Sequence, residues 1–442
     1  MATSDTAAQA TTISEEVAEE AEAQGLLTLG VEEEYLLVDA VEPRAVEAVD
    51  DVLDHLPDDM RESVQLEYMR SQIETASPPQ LQLSELYDSL RRLRSGLATA
   101  AEAAGARLVA VGAAPAVGPH SRVVDKPRYH RMRERFGDLS PGSGLNGMHV
   151  HVSIPDPETG VQVLNHLRPW LPIFQAAAAN SPLFAGRDTG YASWRSMLWE
   201  RWPTVQPTPH LESHDHYLQI ISDLQASGAA LDEGMLYWYA RLSANYPTVE
   251  IRMGDVCPSL DDTLLLAALA RALVATILGD IHDGKDAPQL PYPLLTAAHW
   301  RAAHDGLEGV NIDMATRELR PAWKLMRQLL DYVRPELERH GDLEIATVLM
   351  GRLRSHGTGA ARQRALLARQ ATVSDVVDWL ALTTKSAPLG PGAQIDPATP
   401  LDPSTPLDPS TPADPSTPAD PSTPADPSTP ADPSTPADRE AS

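Results

Sequence analysis

GMHVHVSI, residues 147–154, is the stretch whose reading decides the fold. Strict alternation puts Met148, Val150, Val152 and Ile154 on one side of an extended chain and His149, His151 and Ser153 on the other. That is the period of a strand with one face in a core. GVEEEYLLV (30–38) repeats the device with Glu32 and Glu34, and PTVEIRMGD (247–255) repeats it with Glu250 and Arg252 opposite Val249, Ile251 and Met253. A fourth segment, QLEYMRSQIETASPP (65–79), offers Gln72 and Glu74, with Glu67 earlier in the same run. Any one of these reads as a half-exposed strand of an antiparallel sheet. Together their outward positions are mainly Glu and His, where ordinary solvated faces carry Lys, Thr and mixed charge. Carboxylates gathered on one concave face repel one another and rise in pKa unless a cation compensates. An oxygen-rich set with at most one imidazole suits Mg²⁺ or Mn²⁺, and Mg²⁺ commonly sits between carboxylates and nucleotide phosphates.

Outward from these strands, Leu83–Ala104 reads as a helix with a stripe of Leu83, Leu86, Leu90, Leu93 and Leu97, an N-cap at Ser84 and an end at Gly105. Arg107–Val111 follows as a strand. Apolar helical stretches lie around 167–180 and 191–202, and QPTPHLESHDHY (206–217) reads as a loop. From Leu264 to Leu382 the pattern is almost wholly helical, with caps and breaks at Gly279, Pro321, Pro335, Gly341 and Gly357. Strands early and helices late, without a βαβ rhythm, predict an α+β fold.

The 442 residues carry 62 acidic and 35 basic side chains, a formal net charge of -27. The two ends hold 14 of those charges, through six acids in 1–24 and the Asp-rich segment 386–442. This sign argues against nucleic acid or anionic lipid as partner. From Asp396 the unit D-P-[AS]-T-P recurs every six residues, which predicts a disordered, partly polyproline-II tail over 386–442. Residues 1–24 read as an acidic disordered extension with a short helix over 13–24. A single cysteine, Cys257, excludes a disulfide framework or a Cys-rich metal site. No secretory signal stands at the start, and the most apolar run, Leu264–Leu278, contains Arg271 and predicts a buried helix instead of a membrane span. The expectation is a cytoplasmic protein.

SPGSGLNG (140–147) holds a formal G-x-G-x-x-G at Gly142, Gly144 and Gly147, but leads into a strand and so fails the dinucleotide context. In GRDTGYASWRSMLWERW (186–202), Tyr191, Trp194, Leu198 and Trp202 read as core, while Arg187, Arg195 and Arg201 are candidates for holding phosphate or carboxylate.

GVEEEY, LEYMRSQIE, NGMHVHVS, SPLFAGRDTGYASWRS, TVEIRMGDVCPS and HGTGAARQR (356–364) resemble, in order, the signature blocks of carboxylate-amine ligases of the glutamate–cysteine ligase type 2 family. The resemblance runs from about Leu26 to about Thr384 and makes 25–385 a catalytic domain. It implies a glutamine-synthetase-like antiparallel sheet funnel with a helical C-terminal half. It further implies metal ligands at Glu32, Glu34, Glu67, Glu74, His149 and Glu250, the two middle glutamates coming from a second strand. Nucleotide contacts would come from His149, His151 and Arg187. Arg252 would reach the transferred phosphate, Glu250 and Arg195 would complete the catalytic set, and Arg195 would bind phosphate or a substrate carboxylate. The implied reaction uses ATP and Mg²⁺, with Mn²⁺ as alternative, to join the γ-carboxylate of glutamate to the amine of cysteine through an acyl phosphate. A different acceptor amine stays open, and a homodimer would be usual for the family. A zinc hydrolase built on His149/His151 or His214/His216, and an inactive ATP-binding homologue, are the rival readings.

Overall fold

In a computed structural model of the chain, residues 16–116, 118, 121–137, 139 and 144–386 are described. The predicted tail, most of the N-terminal extension and Gly142 lie outside them. The elements in chain order are α1 (16–24), β1 (Leu29–Asp39), α2 (Val49–Asp54), β2 (Val64–Leu66), β3 (Gln72–Ala76), α3 (Leu83–Ala103), β4 (Ala106–Val109), α4 (Pro127–Phe136) and β5 (Gly147–Ser153). Then come α5 (Pro157–Leu167), α6 (Leu171–Ala177), β6 (Leu183–Phe184), β7 (Arg187–Asp188), α7 (Trp194–Trp199), α8 (His214–Ser227), β8 (Ala240–Leu242) and β9 (Thr248–Asp255). The remainder is α9 (Leu260–His282), α10 (Tyr292–Asp305), the hairpin β10 (Val310–Ile312) and β11 (Leu319–Pro321), α11 (Ala322–Arg339), α12 (Leu343–His356), α13 (Gly359–Ala368) and α14 (Val373–Lys385). This is the expected α+β arrangement.

Seven strands form one sheet in the order β2-β3-β1-β5-β9-β8, with β4 paired to the C-terminal end of β1, and every pairing is antiparallel. The alternation quoted above is realised: Leu29, Val31, Val150, Val152, Val249 and Ile251 are buried in the main core. That core is centred on α9, which packs against α3, α5, α11, α12, β1 and β5. By length and composition α9 could cross a bilayer. Here it is a core helix, and Arg271 within it is fully enclosed, with its guanidinium on Asp342 at 2.5 Å and on the Leu81 carbonyl. A buried cation needs such acceptors to offset the loss of water.

Several local expectations differ from the structure. Helix α3 is capped at Gln82, whose amide donates to the Glu85 carboxylate at 3.1 Å, so the helix begins before Ser84. Neither Gly279 nor Pro335 ends a helix: α9 runs through the first and α11 through the second. Proline inside a helix costs about 3 kcal/mol, but the buried stripe of Leu325, Leu329, Val333 and Leu337 on both sides of it holds α11 together. The segment read as a loop starts α8 instead, with Ser213 accepting from the His216 amide at 3.1 Å. At the other end of the chain, the helix at 16–24 falls within the short helix expected over 13–24, with Ala21 buried and the Gly25 carbonyl hydrogen-bonded by Arg339 at 2.5 Å.

Candidate active site

Register alone assembles the polar face. In antiparallel pairs, residues directly opposite project to the same side. Glu34 faces Glu74, Glu32 faces His149, His151 faces Glu250, and Glu250 faces Arg241. One row of ionisable groups therefore crosses β3, β1, β5, β9 and β8. A register shift on the β5–β9 pair between Met148 and Val150 sets an extra β9 residue beside His149. Arg252 lies in that stretch, and such bulges re-aim side chains.

The carboxylate end of the row is crowded. The Glu32 Oε2 atom lies 2.9 Å from His149 Nδ1, and Glu32 Oε1 lies 3.3 Å from His151 Nε2. Burial acts to raise Glu32, but these two imidazoles hold it well below the usual carboxylate range. Glu34 accepts the Gly147 amide at 2.5 Å, and burial together with Glu67 pushes it up. Glu74 is raised further, by burial first and then by Glu67, Glu32 and Glu34. Ligand atoms of Glu32, Glu74 and His149 lie within 4.8 Å of one another, and no other trio of His, Cys, Asp or Glu does so among the described residues. Oxygen donors with one imidazole, around a carboxylate whose neighbours all repel it, fit a divalent cation of the Mg²⁺ or Mn²⁺ kind. The second His pair, His214 and His216, belongs to no such group among the described residues.

At the other end the charges are inverted. Glu250 Oε2 accepts from Arg241 Nε at 2.8 Å and from Arg252 Nη1 at 2.6 Å. Burial would raise Glu250, yet Arg252 and Arg241 bring it down to about 2. His149 is lowered by burial and by Arg252. Beyond Arg241 the β8–β9 turn borders a cavity of about 250 Å³ lined by Tyr246, Leu218, Tyr217, His214 and Thr248. Tyr246 is 64% exposed, and its ring stands edge-on to His151 at 6.3 Å.

Comparison with known proteins decides what this face belongs to. The sequence model of Glutamate-cysteine ligase family 2 (GCS2) matches residues 28–379. The chain belongs to that family. A curated relative from Salinispora arenicola, provisionally named glutamate–cysteine ligase 2, is 52% identical over 364 residues, covering 82% of this chain and 96% of the relative. A Mycobacterium sp. (strain KMS) protein provisionally named glutamate–cysteine ligase 2-2 is 44% identical over 358 residues, covering 81% and 98%. Among solved structures, the glutamate–cysteine ligase of Francisella tularensis in complex with AMP superposes with a TM-score of 0.61 at 13% identity, covering 82% of this chain and 89% of that one. A bifunctional glutathione synthetase from Pasteurella multocida gives 0.60 at 16%, covering 83% and 54%. At those identities the likeness is one of fold.

In this family member the expected residues distribute unevenly. Glu32, Glu34, Glu74, His149, His151, Glu250 and Arg252 share the sheet face. Glu67 lies just past β2 while Glu74 is on β3, so the pair comes from two strands of a hairpin and not from one. Glu250 is held by two arginines and stands outside the three-ligand group. Arg195, on α7, is buried, with Nη1 on the Met253 carbonyl at 3.2 Å. Arg187 and Arg201 are exposed, Arg187 on the separate β6–β7 hairpin. Leu198 and Trp202 are core, as expected, whereas Tyr191 and Trp194 are half-buried. Cys257 is fully buried and its thiol is pushed well up by burial, so it is no nucleophile. Arg241 escaped the sequence reading because β8 is three residues long and shows no alternation to read.

Proposed function

We propose that the protein is an ATP-dependent ligase that joins the γ-carboxylate of glutamate to the amine of cysteine. A γ-carboxylate oxygen bonds to the γ-phosphorus of ATP, the bridging P–O bond to ADP breaks, and a γ-glutamyl phosphate forms. The amine nitrogen then attacks the acyl carbon, sheds a proton, and phosphate departs. The observation that carries this reading is the row of mutually repelling carboxylates, Glu32, Glu34, Glu67 and Glu74, that passes through His149 into Arg252 and Arg241 on one continuous sheet face.

Glu32, Glu74 and His149 would hold Mg²⁺, with Glu34 and Glu67 beside them; the ion's chemistry there is to neutralise the phosphate oxygens. Arg252 meets charge that develops on the transferred phosphoryl group, and Glu250, locked between two arginines, fixes its direction. Such preorganised charge needs no rearrangement at the moment of reaction. Arg195 answers a carboxylate or phosphate at the Glu34 end of the face. The cavity beside Tyr246 and Leu218, at the opposite end, suits the purine, with the tyrosine ring as a stacking surface.

The test is phosphate release by the full-length protein from ATP and Mg²⁺, with glutamate, then with cysteine or a panel of other amines. Release should require glutamate, an amine and an intact Glu250, since Glu250→Ala frees both arginines. Tyr246→Ala should raise the KM for ATP severalfold with kcat unchanged. Failure of any acid and amine pair to release phosphate would reject the ligase.

A further inference from the structure

We infer that Asp255 is a positioning residue that sets the buried guanidinium of Arg195 to receive an anionic oxygen of a substrate. The nature of that substrate rests on the ligase reading; the geometry does not.

Asp255 ends β9 and is 1% exposed. No cation of the described residues lies within ion-pair distance of it, so hydrogen bonds must satisfy its lone pairs. Its Oδ2 accepts the Asn180 amide at 2.9 Å and the Ser181 hydroxyl at 2.7 Å, and its Oδ1 accepts the Ser193 hydroxyl at 2.7 Å. Each serine then acts on the α7 backbone. Ser181 Oγ accepts the Arg195 amide at 3.0 Å, and Ser193 caps α7 by accepting the Ser196 amide at 3.4 Å. The two serine hydroxyls that bond the first turn of α7, one at the Arg195 amide and one at the Ser196 amide, thus both end on one carboxylate.

The side chain of Arg195 is correspondingly fixed but incomplete. Its Cζ lies 4.8 Å over the Trp199 ring, and Nη1 reaches the Met253 carbonyl. Nη2 presses on Gly147, where an added Cβ would come within 2.3 Å of it. Gly147 is also the residue whose amide binds Glu34, so the guanidinium abuts the carboxylate end of the polar face. Its Nε has no hydrogen-bond partner among the described residues. A guanidinium that is 3% exposed, with a free N–H and no anion of the described residues within ion-pair distance, has Asp255 and Glu34 acting on it only through space and gains when a ligand supplies the acceptor. A carboxylate or a phosphoryl group has the required chemistry.

The surroundings of Asp255 leave it no slack. A Cβ on Gly112 would stand 2.6 Å from its Cγ, and one on Gly359 would strike Asn180 Oδ1 at 2.3 Å. Asn180 in turn bridges the Ala110 and Val256 carbonyls and accepts from Gln363 at 2.7 Å. The blocks 181–196, 248–259 and 356–364 therefore meet around this carboxylate. Their residues Asp255 and Gln363 have no part in the polar face itself.

The experiment compares full-length wild type with Asp255→Asn, Ser193→Ala and Ser193→Thr by steady-state kinetics, thermal midpoint and crystal structure. Asp255→Asn and Ser193→Ala should lower kcat/KM at least tenfold and displace the guanidinium from the Met253 carbonyl. Ser193→Thr, which keeps the hydroxyl, should recover most of the loss. A rise confined to the KM for glutamate assigns the anion as its carboxylate, whereas a rise in the KM for ATP or a fall in kcat assigns a phosphoryl oxygen. Variants that lose only thermal midpoint, with kinetics within twofold of wild type, would reduce Asp255 to scaffold and overturn the inference. A wild type without turnover would reject the ligase reading, and the crystal comparison would still decide: an unmoved guanidinium overturns the inference, a displaced one upholds it.

Discussion

Glu33 and Glu34 sit consecutively on one strand, yet they live in opposite electrostatic worlds. Glu33 points into the helical layer, where Arg94 binds it through Nη2 at 2.5 Å and Nε at 2.9 Å, with Tyr35 and Thr263 hydroxyls at 2.7 and 2.8 Å. Burial works to raise its pKa, and Arg94 overrides this to hold it below the usual range. Every lone pair has a donor. Glu34, one residue on, faces Glu67 and Glu74 and is raised. The same side chain is thus a closed structural pair on one face and part of an open, underneutralised group on the other. Alternation in the strand assigns the face, and the face assigns the role.

The largest expected effect breaks the closed side. Glu33→Ala strands Arg94 inside the core, and losing one partner of a buried pair costs about 3–5 kcal/mol; urea denaturation should show that loss, and replacing both partners with apolar residues of similar volume should restore most of it. A fall in stability of under 1 kcal/mol would dissolve the contrast. Next comes the open side. Glu34→Gln should cut turnover by about 10²–10³-fold, as losing a group that acts on transition-state charge does. It should leave the thermal midpoint in metal-free buffer unchanged or higher, because one repelling charge has gone, and a marked drop there would mean that Glu34 is structural after all.

The smallest effect separates the two ends of the polar face by pH. Glu250 has its folded pKa depressed to about 2 by Arg252 and Arg241, against the opposing effect of burial. A depressed carboxylate contributes stability that is complete above its unfolded value and is lost as pH falls through the folded one. The window is therefore from about 4.5 down to about 2, and the contribution is at most about 3 kcal/mol. Wild type should lose stability more steeply than Glu250→Gln across that window. Parallel acid titrations would show that the two arginines do not hold Glu250 as described.

Most of the polar face was legible because a strand's period is local: Glu32 and Glu34, His149 and His151, Glu250 and Arg252 declare themselves by spacing alone. The helix interruptions at Gly279 and Pro335 were misread for the converse reason. Both residues weaken a helix intrinsically; the stripe on either side of Pro335 is buried against neighbours that local sequence does not reveal, whereas α9 outruns the exposed Gly279 only as far as His282. The stretch around His214 and His216 reads as a loop because a capped helix start preceded by prolines resembles a turn. Arg187 and Arg195, eight residues apart and equal as candidates in the sequence, differ only in that a hairpin carries one outward and the Asp255 network draws the other in.

By itself, the sequence determined the fold class, the two-faced strands, the family's ordered blocks and the chemical type of the site, since these depend on period and residue type along the chain. Only the tertiary structure decided which residues meet. The opposition of Glu34 with Glu74, the clamping of Glu250 by Arg241 as well as Arg252, the burial of Arg195 and the hub at Asp255 all depend on strand register and on contacts between distant segments. Those contacts form because the core packs in one arrangement only, and no local pattern encodes that arrangement.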